Sequence, residues 1–187
     1  MQDDIKQALE VLQKGGVILY PTDTIWGIGC DATNQAAVKR VYEIKKRADS
    51  KSMLVLMENL NLLERYMQEV PEIAYSLIEV TDKPMTIIYP AAKNLAPNLL
   101  ADDGSVGIRI TTERFTQTLI QRFRKPIVST SANISGEPSP ATFAEVSDEI
   151  KHAVDYVVKY RQDDVTPVRP SSIIKLGVGG EIKIIRE

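Results

Sequence analysis

The groups in this chain able to do chemistry are hydroxyls, amides and cations. Ser129-Thr130-Ser131-Ala132-Asn133-Ile134-Ser135-Gly136-Glu137-Pro138-Ser139-Pro140 sets four hydroxyls and one amide in its first seven residues. It follows the apolar Ile127-Val128 and precedes a helix start at Thr142, so it reads as a strand–loop–helix passage. Such a loop offers neutral donors in a fixed geometry, suited to an anionic or polar ligand; its plainer reading is a polar turn capped by Ser and Asn. A second group lies between Lys39 and Lys51, with six basic residues (Lys39, Arg40, Lys45, Lys46, Arg47, Lys51) against two acidic ones (Glu43, Asp49). Cations collect at helix C-termini through the macrodipole, whereas an Arg fork beside a Lys point charge also makes a phosphate clamp. Third, Arg109 sits inside the apolar run Ser105-Val106-Gly107-Ile108-Arg109-Ile110. A buried guanidinium must find a partner, either an internal carboxylate or a bound carboxylate or phosphate.

Composition narrows the classes. The 187 residues suit one domain with a real core, and 43% hydrophobic and 26% charged residues are ordinary for a soluble protein. Net charge is −2, the pI about 5.6, and aromatics make up 6%, so a broad stacking or basic surface for nucleic acid is not indicated, although a local patch is compatible. One cysteine, Cys30, excludes an internal disulfide, and one histidine, His152, excludes a multi-histidine metal site. No early apolar segment approaches a signal peptide or a membrane span, so a cytoplasmic protein is expected.

The elements that must position these groups follow from periodicity. Ile5, Ala8, Leu9 and Leu12 predict a helix over 3–14, ended by Gly15-Gly16. Val17-Leu19 with Tyr20 predict a strand stopped by Pro21, after which Pro21-Thr22-Asp23-Thr24 forms a polar loop and Trp26-Gly27-Ile28-Gly29-Cys30 a Gly-rich connection. Helices are expected over 35–46, 59–70, 71–80, 113–124 and, from a Thr142–Glu145 capping box, 142–151. Strands are expected over 53–57, 84–90, 105–110 and 154–158, with a hairpin of 171–176 and 182–186. Residues 160–170 read as an exposed connection.

Pro21-Thr22-Asp23-Thr24 with Gly27, Lys45-x-Arg47, Gly107-Ile108-Arg109, Ser129-Thr130-Ser131-Ala132-Asn133 with Ser135-Gly136, and Ser171-Ser172-Ile173 occur in that order. Together they resemble the Sua5/YciO/YrdC family, from about residue 5 to 187. The resemblance implies an α/β fold: a single YrdC-like domain over 1–187, with a twisted mixed sheet, flanking helices and a concave basic groove. It implies L-threonylcarbamoyladenylate synthesis from L-threonine, bicarbonate and ATP, with pyrophosphate released, for the modification of adenosine 37 in certain tRNAs. Magnesium would accompany the ATP, with metal ligands unassigned, and the implied partners are tRNA or double-stranded RNA and other tRNA-modification proteins, without a membrane.

By the same resemblance, Arg47, Lys51, Ser105, Ser131, Ser139 and Arg186 match nucleotide contacts. Asn133 joins them as a signature position, and Lys45 with Arg47 is assigned to catalysis. Thr24, Arg109, Ser129 and Ser172 match the threonine site. Departures from the family pattern are Ala48 for a Pro, Lys51 for an Asn, Ile25 or Trp26 where a Tyr is usual, Asp82-Lys83-Pro84 for a Pro-Gly-Pro, Thr111 for a Pro, and Leu56 where some members carry a threonine-contacting His. They leave the phosphate marks largely intact and alter the amino-acid side. The alternative reading is a YciO-like paralogue that binds double-stranded RNA or tRNA without this activity. A third is a nucleotide binder that activates another acid or hydrolyses the product.

Overall fold

The structure is a computed structural model, and it describes residues 1–47, 53–166 and 168–187. In chain order the α-helices are α1 (Gln2–Gln13), α2 (Gln35–Ile44), α3 (Leu63–Tyr66), α4 (Glu72–Val80), α5 (Arg114–Phe123) and α6 (Asp148–Ala153). The strands are β1 (Ile18–Tyr20), β2 (Gly27–Gly29), β3 (Leu54–Met57), β4 (Met85–Tyr89), β5 (Val106–Ile110), β6 (Ile127–Ser131), β7 (Tyr156–Val157), β8 (Ser172–Leu176) and β9 (Ile182–Arg186). They form one sheet in the order β7-β1-β2-β6-β3-β5-β4-β8-β9. Pairing is mixed: β3 lies parallel to β5 and β4 to β8, while β6 runs antiparallel to both β2 and β3.

Side chains alternate across a strand, so each strand supplies one residue set to each face. One face carries the larger core. Val55 and Met57 of β3, Ile87 and Tyr89 of β4, Val106 and Ile108 of β5, and Val128 of β6 pack there with Val38 and Val41 of α2 and Ala74 of α4. Burying each such aliphatic side chain stabilises the fold by about 1.5–3 kcal/mol. On the opposite face α1 and α5 lie together, and Ile5, Leu12, Phe115 and Leu119 cover Ile18, Tyr20, Leu56 and Ile127. Gly107, Arg109, Thr86, Ile88 and Ile173 lie on that second face but outside the patch under the two helices. The part of that face not covered by α1 and α5 is thereby left as the floor of a cleft.

Four local expectations change. The Gly-rich connection is a strand, β2, because its glycines let backbones close in. A Cβ on Gly29 would sit 2.5 Å from the Val128 carbonyl oxygen and 2.6 Å from the Tyr20 ring. The polar run 129–140 begins as strand, since β6 continues to Ser131 opposite Gly27. The helix expected over 59–70 is a 3-10 turn, Leu60–Leu62, followed by the single turn of α3. It ends because Met67 leaves to bridge Ala92. The helix expected over 142–151 splits into a 3-10 turn, Phe143–Glu145, and α6. There the Glu145 carboxylate accepts from the Ala141 amide at 2.7 Å, while Ser147 caps α6. The terminal hairpin stands as expected.

Candidate functional site

The cleft holds about 280 Å³, lined by residues from widely separated segments, among them Thr24, Arg47, Arg109, Ser129, Ser131, Ser139 and Arg186. Its floor is built of small side chains. Gly27 and Gly107 stand where a Cβ would press on Ser129 Oγ and Thr86 Cγ2 respectively, both at 3.2 Å. Trp26 forms part of the wall and is steadied from behind by Phe143, 4.8 Å away between ring centroids.

The Lys-x-Arg spacing has a local explanation. The end of α2 is a Schellman turn: the Arg47 amide donates to the Tyr42 carbonyl at 3.0 Å and the Lys46 amide to Glu43 at 3.1 Å, with Lys46 left-handed at φ 49°. The turn points its three cations apart. Lys45 goes into the protein at 1% exposure, Lys46 stays in solvent beside Glu149, and Arg47 reaches the cleft. Lys45 Nζ donates to the carbonyls of Ser131 and of Asn133, the latter at 2.6 Å, and the Ser135 amide donates back to the Lys45 carbonyl at 2.8 Å. Burial, with the nearby Arg47 charge second, pushes the Lys45 ammonium down to about 8. Lys45 therefore ties the Ser-x-Asn loop to the end of α2 and does not line the cleft.

Asn133 behaves similarly. Its Nδ2 donates to the carbonyls of Ile134 and Glu137, at 3.0 and 2.8 Å, which shapes the turn toward Ser139. Its buried Oδ1 has no partner among the described residues. Ser131 and Ser139 do line the cleft. Ser105 lies just before β5, two residues from Gly107, and its hydroxyl donates to Asp103, which also pairs with Lys175; it is not in the lining. Lys51 lies outside the described residues.

The first loop is held at several points. Thr116 of α5 donates to the Pro21 carbonyl at 3.1 Å, Thr22 donates to the Ile25 carbonyl at 2.8 Å, and Arg161 donates to the Thr22 carbonyl at 3.3 Å. Thr24 is thereby fixed at the cleft edge, where its hydroxyl accepts from Arg109 Nη2 at 3.2 Å. Arg109 has the internal partner its sequence context requires: Asp23 Oδ1 lies 2.9 Å from the same nitrogen. Ser129 is buried on the cleft floor, facing the Tyr20 hydroxyl, whose phenol is raised by burial. Arg186 donates twice to the Ser171 carbonyl, at 2.8 and 2.6 Å. Its guanidinium is lowered first by burial and then by the Arg109 charge.

Of the two serines in the Ser171-Ser172 pair, it is Ser171 that lines the cleft, hydrogen-bonded to Thr86 at 2.8 Å; Ser172 does not. β8 pairs in parallel with β4 from Ser172 onward, and alternation puts residue 171 with Ile173 on the cleft face. Asp23 and Gly107 stand within sequence motifs that assign them no individual role, and Thr86 stands in none. Alternation within Met85-Thr86-Ile87-Ile88 was the available signal for Thr86; Asp23 had only its place in the loop. No group of three or more His, Cys, Asp or Glu able to hold a metal occurs among the described residues. No described helix is long and apolar enough to cross a membrane.

Comparison with known proteins gives a consistent picture. Residues 10–187 match the Sua5/YciO/YrdC family, whose description reads telomere recombination. A threonylcarbamoyl-AMP synthase of Pseudoalteromonas translucida is 34% identical over 160 residues, 84% of this chain and 86% of that protein. The crystal structure of E. coli YciO superposes with a TM-score of 0.86 at 26% identity, covering all of this chain and 90% of YciO. P. abyssi Sua5 complexed with L-threonine superposes with a TM-score of 0.82 at 25% identity over 92% of this chain. This chain spans about half of that Sua5, 50%.

Proposed function

From its membership in the Sua5/YciO/YrdC family, to which this chain belongs, we propose that it is a threonylcarbamoyl-AMP synthase. The substrates are L-threonine, bicarbonate and ATP, and the reaction is a nucleotidyl transfer serving tRNA modification. The observation that carries the reading is the convergence of Arg47, Arg109, Arg186 and the Ser129–Ser131 edge on one cleft. The threonine amine and bicarbonate condense to a carbamate with loss of water. A carbamate oxygen then attacks the α-phosphorus of ATP, that phosphorus–oxygen bond forms, and the bond to the β-phosphate oxygen breaks, so pyrophosphate leaves. No enzymatic nucleophile is needed. The protein's part is to hold three anionic groups together and to offset charge at phosphorus.

In this reading Arg47, Ser131, Ser139 and Arg186 take the nucleotide, and Thr24, Arg109 and Ser129 take threonine. Lys45 and Asn133 support the nucleotide loop from behind, and the serine on the threonine side is Ser171 in place of Ser172. Magnesium, riding on the triphosphate, would offset phosphate charge. The test is pyrophosphate release from the purified protein with all three substrates, followed by omission of each in turn. Release that requires both threonine and bicarbonate supports the reading. Release without them, or none, refutes it.

The second reading, an RNA-binding paralogue, draws on the 26% identity and full coverage with YciO. Binding of double-stranded RNA with a steep log–log salt dependence and no pyrophosphate release would favour it.

A further inference from the structure

The cleft's cations are not equivalent. Arg109 is paired with a carboxylate at 2.9 Å, and both side chains are buried, with 3% and 5% exposure for Arg109 and Asp23. Arg186 has no carboxylate within ion-pair distance among the described residues and instead donates to a main-chain carbonyl. The Arg109–Asp23 pair is also under-satisfied. Among the described residues neither Asp23 oxygen has a hydrogen-bond donor, and the buried Arg109 Nε has no acceptor. Buried ions normally collect such partners because desolvation is costly, and a pair that lacks them asks for an explanation.

We infer that Asp23 makes the Arg109 end of the cleft selective for a zwitterion: it cancels the guanidinium charge, so a ligand there must bring an ammonium with its carboxylate. This rests on the threonine half of the proposed function and names what that half discriminates against. Asp23 is buried and is not itself part of the cleft lining, so its carboxylate acts through protein interior, where charge is weakly screened. A simple carboxylate or phosphate would meet a neutral pair and gain little. An α-amino acid gains from both members, its carboxylate toward Arg109 and its ammonium in the field of Asp23. Phosphates are left to the Arg47 and Arg186 end. Asp23 is thus a positioning and specificity-determining residue, acting beside and through Arg109.

The experiment is titration calorimetry on the full chain with a non-hydrolysable ATP analogue present, comparing L-threonine with (R)-3-hydroxybutyrate, the same acid without its amine. Wild type should prefer threonine by about tenfold or more, the worth of one charge-assisted contact. Asp23→Asn should shrink that preference to within about threefold, by weaker threonine or tighter hydroxybutyrate, and Asp23→Glu should restore it. Because Asp23→Asn leaves a buried cation unpaired, the double variant Asp23→Asn/Arg109→Gln, which removes both charges, is measured alongside, and it too should lose the preference. Equal affinities in wild type, or an undiminished preference in either asparagine variant that melts cooperatively, overturn the inference while the synthase reading stands. If wild type binds the ATP analogue but neither acid, the threonine half of the proposed function falls as well.

Discussion

Lys45 Nζ donates to the Asn133 main-chain carbonyl at 2.6 Å, across 88 residues of sequence. With its second bond to the Ser131 carbonyl, this makes the Lys-x-Arg and Ser-x-Asn segments one unit. The expected outcome of Lys45→Met is then loss of stability, roughly 1.5–3 kcal/mol for the charge-assisted bonds, together with a weaker KM for ATP. Urea denaturation and steady-state kinetics check it. A variant that lost kcat alone, at full stability, would restore Lys45 to a role in the chemical step.

Arg47→Ala and Arg109→Ala should each lower kcat/KM for pyrophosphate release by roughly tenfold to 150-fold, the equivalent of about 1.5–3 kcal/mol. The two differ in kind. Arg47→Ala should act on ATP, whereas Arg109→Ala should act on threonine and also reduce stability, because it leaves Asp23 buried without its counter-charge. Substrate-dependent kinetics with thermal melts separates these effects.

Gly107 lines the cleft on β5 and makes no left-handed turn, so a side chain there is tolerated by the backbone but not by a ligand. Gly107→Val should keep the fold within about 1–3 kcal/mol of wild type, the usual cost of added methyls in a packed site. It should weaken ATP or threonine binding by at least about tenfold. Unchanged affinity for both would mean that the ligands do not lie on the sheet face.

Acid should loosen the joint between α1 and β7. Burial alone would raise Asp4, but the Lys159 amide, the Tyr156 hydroxyl and the N-terminal ammonium hold it below its ordinary value. Asp155 is likewise held down, against burial, by Arg40 and the Val17 amide. A carboxylate depressed in the folded state contributes stability that is present above its unfolded value and lost as pH falls through the folded one. Stability should therefore drop below about pH 4. Asp4→Asn should be less stable at neutral pH with a flatter acid limb, which urea midpoints across pH would show.

Sequence by itself determined much of the architecture. The helical spacing of Ile5, Ala8 and Leu12, the apolar run at 105–110 and the terminal hairpin are local patterns, which a sequence displays directly. The ordered marks also led to the family, and to seven residues that do share a cleft: Thr24, Arg47, Arg109, Ser129, Ser131, Ser139 and Arg186. Tertiary structure alone decided what each polar residue faces. Lys45 and Arg47 are two positions apart with the same charge, and only the left-handed Lys46 turn sends one inward and the other to the cleft. Ser171 and Ser172 are neighbours of one type, separated by strand register. Asp23 meets Arg109 from 86 residues away because β3, β5 and the first loop are brought together by the sheet, and no local pattern encodes which carboxylate a buried guanidinium will meet.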